Sequence, residues 1–330
     1  MLHRLEPLDV RIPRWEKAFF VDRLCPFCKS EGAEHCIRPD ELHIRHCSTC
    51  GCYFITPTPT EEQLDKFYAS YYAHHRTIEF QQYHNDPILI KEMFALDPFS
   101  DFKVKTLASL ANLHGKRMLD VGFGMGQNLL LMKKIGAHVT GIDLDPDAVQ
   151  FARQVLGIEN VHRCDIHAHS TRVPYDLITL HDVVEHPLDP VAVLKKARSL
   201  LAPNGLLSIW TPNASSASND EQTVAFRVDL EHMQYLTFQT CRFVADMLKM
   251  TIVHLDAHGF PRLESIRNLS GMEGKRKPKQ VLRSLLKSFP GFVQLNAFRK
   301  RFGMKDSQSG SYHLFCVMRV DHDNDHHGDE

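Results

Sequence analysis

The stretch MLDVGFGMGQNLLLMKKIGAHVTGID, residues 118–143, reads as strand, glycine turn, helix and strand. Residues 118–121 are a short apolar run that carries one acid, Asp120. Gly122, Gly124 and Gly126 then allow a tight bend and close approach of backbone to a ligand. Leu129, Leu130, Met132 and Ile135 give the following helix a buried face, and residues 137–142 form a second buried strand that ends in Asp143. A dinucleotide site needs G-x-G-x-x-G with a pyrophosphate at the helix N-terminus. Here the third glycine comes one residue early and Gln127 stands in its place. Asp120 would also set a negative charge beside two phosphates, which is unfavourable, whereas a cation suits it.

Downstream, strands and helices alternate. Asp145 as cap, Pro146 at the first helical position and Gly157 as stop punctuate a second helix, with Val149, Ala152 and Val155 on its inner face. A third strand near 160–163 leads to Cys164 and Asp165, and a fourth at 175–180 leads into H-D-V-V-E-H-P, residues 181–187. Polar groups so placed lie beside the ligand crevice of an open sheet. A helix from Asp189 and Pro190 to Leu201, a turn at 202–205 and a fifth strand at 206–210 follow. Residues 211–230 are polar and long enough to be a substrate lid. A helix at 238–250, a sixth strand at 251–256 and a seventh at 312–320 complete an α/β pattern with a final hairpin.

Upstream, two C-x-x-C pairs, Cys25/Cys28 and Cys47/Cys50, have the spacing of a structural zinc site, with the segment between them folding back as a hairpin. Cys36 and Cys52 are left over, and Cys52 is an alternative to Cys50. Thr60 caps a helix through Tyr71 with Glu61 and Glu62 in its first turn. Tyr68, Tyr71 and Tyr72 are read either as packing or as a substrate wall. Residues 73–86 are a linker or lid, and one helix at 89–113 leads into the first strand.

With 330 residues, one large domain plus a smaller one is expected. Net charge is -1, which argues against nucleic acid as the main partner. No apolar run reaches a membrane span, the first 20 residues mix charges unlike a signal peptide, and the protein is read as cytoplasmic. Its nine cysteines are then metal ligands or buried thiols rather than disulfides. Residues 275–305 hold ten Lys or Arg and no acid, interleaved with apolar residues. That stretch is either a peripheral membrane or anionic-partner surface, or a helical cap with solvated charges. The boundaries drawn are a zinc-ribbon-like module at 1–57, a helical linker or lid at 58–115, a core at 116–257, a basic amphipathic insertion at 258–310, the last strand at 311–320 and a disordered tail at 321–330.

The D-V-G-x-G-x-G order resembles the first motif of the class I S-adenosylmethionine (SAM)-dependent methyltransferases. C-P-x-C, C-x-x-C-G-x-x-F and T-P-x-P narrow the resemblance to the bacterial methyltransferase-23/11-like group with an N-terminal zinc-ribbon-like segment. It implies a Rossmann-like seven-stranded sheet and SAM as methyl donor. Asp120 would face the methionine end, Gly122, Gly124 and Gly126 would pass under the ribose, and Asp143 would accept both ribose hydroxyls, with Leu144 beside it. Asp165 would accept from the adenine amino group, or is a turn residue, and Ile166 would pack on the ring. His181 belongs to the same crevice. Such relatives act on sugars, glycans or other small molecules, which makes an oxygen acceptor on such a molecule the expected substrate.

An oxygen acceptor needs a base or a metal. His232, His181 and His186 are the candidate bases. Asp182, Glu185, His186 and His232 also match the divalent-ion set of the ubiquinone-pathway and small-RNA methyltransferases, with Asp for Glu at the first position, which would admit an ion such as Mg2+. Two other classes fit the resemblance: an RNA-modifying enzyme gripping nucleic acid through ribbon and insertion, and a non-catalytic SAM-binding protein.

Overall fold

The computed structural model describes residues 2–7, 12–71, 86–215, 224–227, 230–258 and 312–321. Tyr72, nearly all of the 73–86 linker, the centre of the 211–230 lid, the basic insertion beyond residue 258 and the tail beyond residue 321 lie outside these.

The chain opens with a short strand, β1 (His3–Arg4), and a 3-10 turn at Lys17–Phe19. β2 (Ala33–Ile37) and β3 (His43–His46) then form the hairpin expected between the cysteine pairs, and β4 (Tyr53–Ile55) follows. In α1 (Glu61–Tyr71) the cap lies where the sequence puts it. Thr60 Oγ1 accepts from Gln63 N at 3.4 Å while Gln63 Oε1 accepts from Thr60 N at 3.0 Å.

The single helix expected at 89–113 is instead two, α2 (Pro87–Ala95) and α3 (Phe102–Leu110), with a 3-10 turn at Pro98–Ser100 between them. Pro98 has no N–H and disfavours helical backbone at Asp97. The acids on either side restart the chain: Asp97 accepts from Phe99 N at 3.2 Å and Asp101 from Val104 N at 3.1 Å.

The alternation then runs β5 (Arg117–Val121), α4 (Gln127–Lys134), β6 (His138–Asp143), α5 (Pro146–Gln154), β7 (Val161–Arg163), β8 (Tyr175–His181), α6 (Pro190–Ser199) and β9 (Leu201–Pro212). The expected turn at 202–205 survives inside β9 as a loop-out, since Tyr175 pairs with Leu201 and Leu177 with Leu206. Asn204 there has φ +61°. After it come β10 (Gln234–Tyr235), α7 (Phe238–Leu248), β11 (Met250–His258) and β12 (His313–Val320).

A seven-stranded sheet has the order β11-β12-β9-β8-β5-β6-β7. β12 is antiparallel to both neighbours and the other pairings are parallel. This is the expected Rossmann-like fold. The strand order reverses between β5 and β8, so the carboxyl ends of β5, β6 and β8 open onto one crevice.

The smaller sheet, β1-β2-β3-β4-β10, is completed from elsewhere in the chain: β10 adds antiparallel to β4, Gln234 opposite Phe54 and Tyr235 opposite Tyr53. Cys25, Phe27, Cys47, Cys50 and Phe54 pack in one continuous core with Leu236, Cys241, Val244 and the large sheet.

A buried arginine ties the β2–β3 turn to the distant 230–235 segment. Arg38 is fully buried, and its Nη1 donates to the backbone oxygen of His232 at 2.6 Å and to Tyr235 Oη at 2.8 Å. Its Nη2 donates to Leu230 O and to Asp40 Oδ2, and Nε to Asp40 Oδ1 at 3.0 Å. Desolvation works against the guanidinium charge, yet Asp40 and Tyr235 outweigh it and hold the group protonated above its ordinary value. Because removing one partner strands a buried charge, Arg38→Ala should cost about 3–5 kcal/mol of stability by urea denaturation. Arg38→Met with Asp40→Leu should recover part of that, whereas full stability of the single variant would show that the pair does not hold the 230–235 segment in place.

Candidate functional site

The glycine turn after β5 is built from left-handed backbone: φ is +65° at Gly122, +52° at Gly124 and +71° at Gly126. A Cβ on Gly126 would meet Leu156 Cδ1 at 2.7 Å, so packing as well as φ excludes other residues there. Asp143, buried at the end of β6, clamps this turn. Its Oδ2 accepts from Gly124 N at 2.8 Å and its Oδ1 from Asp145 N at 2.9 Å. One carboxylate thus fixes both the glycine loop and the start of α5.

Asp120 is buried beneath the turn. Its Oδ1 accepts from Thr179 Oγ1 at 2.5 Å, and its Oδ2 has no hydrogen-bond partner among the described residues. Burial lifts its carboxyl to about 6, against the lowering influence of Thr179 and nearby Asn128, and the charge of Asp143 adds to the rise. A half-satisfied carboxylate of this kind favours an arriving cation.

Around the same crevice Leu144 is 56% exposed, Ile166 is buried and Asp165 is exposed. Asp165 Oδ1 accepts from Ala168 N at 2.8 Å, so it does make the turn that its position after a strand suggests.

The 181–187 loop leaves β8 through Asp182, which has φ +55° and donates its N–H to Trp210 O at 2.7 Å. His181 Nε2 lies 2.8 Å from Ser208 Oγ, its Nδ1 is buried without a partner among the described residues, and burial holds the ring neutral well below its ordinary range. Glu185 is fully buried. Its backbone oxygen accepts from Met233 N at 2.8 Å, and Gln234 Nε2 donates to Val184 O and Pro187 O at 2.8 Å each. These bonds lock the loop to the 230–237 segment.

As a result Glu185, His186 and His232 meet, with one donor atom from each lying within 4.8 Å of the others. The rings of His186 and His232 are 4.7 Å apart. Asp182 is not part of this group. Burial first, then the positive Arg38 and the neighbouring His313 ring, lowers His232 to about 3. A base so weak accepts a proton poorly near neutral pH, but a neutral imidazole is the form that binds a metal.

Two further side chains contribute, one read from the sequence only as packing or a substrate wall and one not singled out at all. Tyr68 Oη lies 2.9 Å from His186 Nδ1, which puts one member of the tyrosine cluster at the site. Lys103, on α3, lies over the Trp210 ring at 4.8 Å and bears electrostatically on His181, His313 and Asp120. The tyrosine cluster marked the first, whereas nothing local marks the second.

The four cysteines also converge. Cys25 Sγ lies 3.4 Å from Cys50 Sγ and Cys28 Sγ lies 3.3 Å from Cys47 Sγ, all four sulfurs within 4.8 Å of one another. A tetrahedral zinc with Zn–S of ~2.3 Å asks for sulfurs about 3.8 Å apart, so the set fits. The two knuckles turn alike: Lys29 N donates to Cys25 O at 2.9 Å and Gly51 N to Cys47 O at 2.8 Å. Hydrogen bonding from Cys50, then Cys52, depresses the Cys25 thiol, and the same contact raises Cys50. Of the two alternatives for the fourth ligand, the group contains Cys50, while Cys52 Sγ donates to Tyr53 O at 3.2 Å.

A model of the methyltransferase domain matches residues 98–246. The ubiquinone biosynthesis O-methyltransferase of Xanthomonas campestris pv. campestris is 33% identical over 135 residues, 39% of this chain and 55% of that protein. That of Xylella fastidiosa is 30% identical over 191 residues, 54% of this chain and 76% of that protein. The chain thus spans about half the length of the first of these curated relatives. Among solved structures, a SAM-dependent methyltransferase from Archaeoglobus fulgidus matches with a TM-score of 0.45 at 20% identity, over 70% of this chain and 98% of that one. A second, from Mesorhizobium loti, has a TM-score of 0.43 at 14% identity, over 65% and 95% of the two chains. With the glycine turn, its buried aspartate and the seven-stranded order in place, the domain match and the Xylella relative put the chain in a family: it belongs to the class I SAM-dependent methyltransferases.

Proposed function

We propose that this chain transfers the methyl group of SAM to a hydroxyl of a small molecule, which includes sugars and glycans. The observation that carries the reading is the pairing of two features at one crevice. Asp120 holds an unsatisfied carboxylate oxygen under the glycine turn, and Glu185, His186 and His232 converge at the end of the next strand. In this reading Asp120 faces the methionine end of SAM, Gly122, Gly124 and Gly126 pass under the ribose, and Asp143 takes the ribose diol. Leu144, Asp165 and Ile166 flank the adenine, with His181 behind the crevice. The S–CH3 bond of the sulfonium breaks as the O–CH3 bond forms, and the acceptor proton must leave. Alignment and exclusion of water supply most of the barrier reduction.

The low basicity of His232 favours the metal route over a bare histidine base. Glu185, His186 and His232 would hold a divalent ion that lowers the acceptor's pKa, with Asp182 behind them. Two imidazoles and one carboxylate suit a transition ion better than Mg2+. Cys25, Cys28, Cys47 and Cys50 would hold a structural Zn2+. The knuckles support a small-molecule acceptor over RNA, because they pack on the chain's own helix: Thr237 Oγ1 donates to Gly51 O at 3.1 Å, and Gln239 Nε2 reaches Ser48 O and Thr49 O at 3.2 Å each.

Three outcomes are expected. Calorimetry should show SAM binding above pH 6 that weakens as pH falls through about 6, where Asp120 takes up a proton and loses its attraction for the ligand cation. Asp120→Asn should cost roughly 10- to 100-fold at pH 7.5 and flatten that dependence, the loss of one charged hydrogen bond. Tight uptake of NADH with SAM ignored would end the reading. In the second test, labelled SAM and hydroxyl acceptors should give a mass gain of one methyl, and His232→Ala should slow turnover by ~10²-fold or more. Turnover unchanged both in that variant and with EDTA in the zinc-replete protein would remove His232 and the ion from the chemistry. In the third, a chelator strong enough to strip thiolate-bound zinc should release one equivalent that Cys47→Ser does not hold and lower Tm, since such a site contributes folding energy directly. Cys47→Ser should show the lower Tm without chelator, and a chelator-insensitive Tm in the parent would exclude a structural ion.

A further inference from the structure

β11 ends in H-L-D-A-H, residues 254–258, and none of this motif is used by the reading above. Alternate residues of a strand share a face, so His254, Asp256 and His258 lie on one side of β11. One donor atom from each of the three lies within 4.8 Å of the others. Their hydrogen bonding is incomplete. His258 is 8% exposed, yet neither of its ring nitrogens has a hydrogen-bond partner, and His254 Nε2 is likewise buried without one among the described residues. Asp256 Oδ1 accepts from Ala257 N at 2.8 Å, which turns Oδ2 to within 3.3 Å of His258 Nε2, close but outside hydrogen-bond geometry.

Buried imidazole nitrogens are seldom left without partners, so three of them beside a carboxylate ask for a ligand. Aromatic rings wall the place on one side. Phe102 lies 3.7 Å from the His258 ring and Phe315 5.2 Å from that of His254, while the Asp256 side chain is 59% exposed and leaves the other side open to solvent.

We infer that His254, Asp256 and His258 form a second divalent transition-metal site, distinct from the cysteine knuckles and from the Glu185, His186 and His232 group. Two nitrogen donors and one oxygen donor select a borderline ion such as Zn2+ or Co2+ over Ca2+ or Mg2+, which ask for oxygen alone. Three protein ligands leave at least one coordination position for water or a small anion. The inference does not depend on the methyl-transfer reading.

The test is a Co2+ titration of the full chain with its thiolate site filled by zinc, followed by visible absorption. His186→Ala in the background removes the other histidine group, and His322→Ala, His326→Ala and His327→Ala together remove the tail's histidines. One equivalent of Co2+ with ligand-field bands and without thiolate charge transfer is expected in that background. Adding His254→Ala and His258→Ala should abolish it. Asp256→Asn replaces an exposed side chain and should weaken Co2+ by at least about tenfold while the Tm of the Co2+-free protein stays unchanged, as even an outer partner is worth that much. Co2+ uptake that is lost in the background itself, or that persists at full affinity without His254 and His258, would overturn the assignment.

Discussion

A guanidinium removed from water demands partners, and Arg38 finds them in one short segment of distant chain. Its two terminal nitrogens reach Leu230 O, His232 O and Tyr235 Oη, residues 192 to 197 positions away, while Asp40 balances the charge from two residues on. The backbone of that segment is held from the side of the small sheet. The residues it carries serve the large one: His232 enters the crevice, and Gln234 fastens the 181–187 loop. Arg23 repeats the device nearby, donating to Ile55 O at 2.9 Å and Met233 O at 2.5 Å, with burial lowering it to about 10. Two cations in the N-terminal hundred residues therefore fix the geometry of a site whose remaining parts lie on the Rossmann-like sheet.

The electrostatic character of that site follows from the same arrangement. Burial beside Arg38 makes His232 a poor proton acceptor, and burial followed by the charge of Lys103 does so for His181. Asp120 is pushed the opposite way, toward its neutral form. Each of these buried groups is held away from its charged state, so a ligand that brings positive charge to the carboxylate relieves a cost already present in the fold.

What was legible in the sequence was local or paired chemistry. The glycine turn, its two aspartates and the C-x-x-C pairs all state their geometry within a few residues, because φ and metal spacing are short-range demands. Helix starts at Thr60, Asp145 and Asp189 were legible for the same reason: each side chain caps its own helix. The break in the helix at 89–113 is hidden because apolar spacing continues across Pro98, while Asp97 and Asp101 cap the pieces on either side. Arg38 was invisible, since R-P-D in a hairpin says nothing of acceptors nearly two hundred residues on. His232 was singled out by resemblance, but its weak basicity depends on burial against that unseen arginine. Lys103 was hidden in the same way, by a helix packing that brings it over Trp210.

The position of β10 in the chain bears on how the protein is made. On the ribosome, the first four strands emerge about 180 residues before the one that completes their sheet. Until then β4 presents an unpaired edge and Arg38 lacks its distant acceptors. Exposed edges invite pairing with other chains. The amino-terminal sheet must therefore wait, unfinished, for the rest of translation, and its completion records that the carboxyl-terminal half of the crevice has been built.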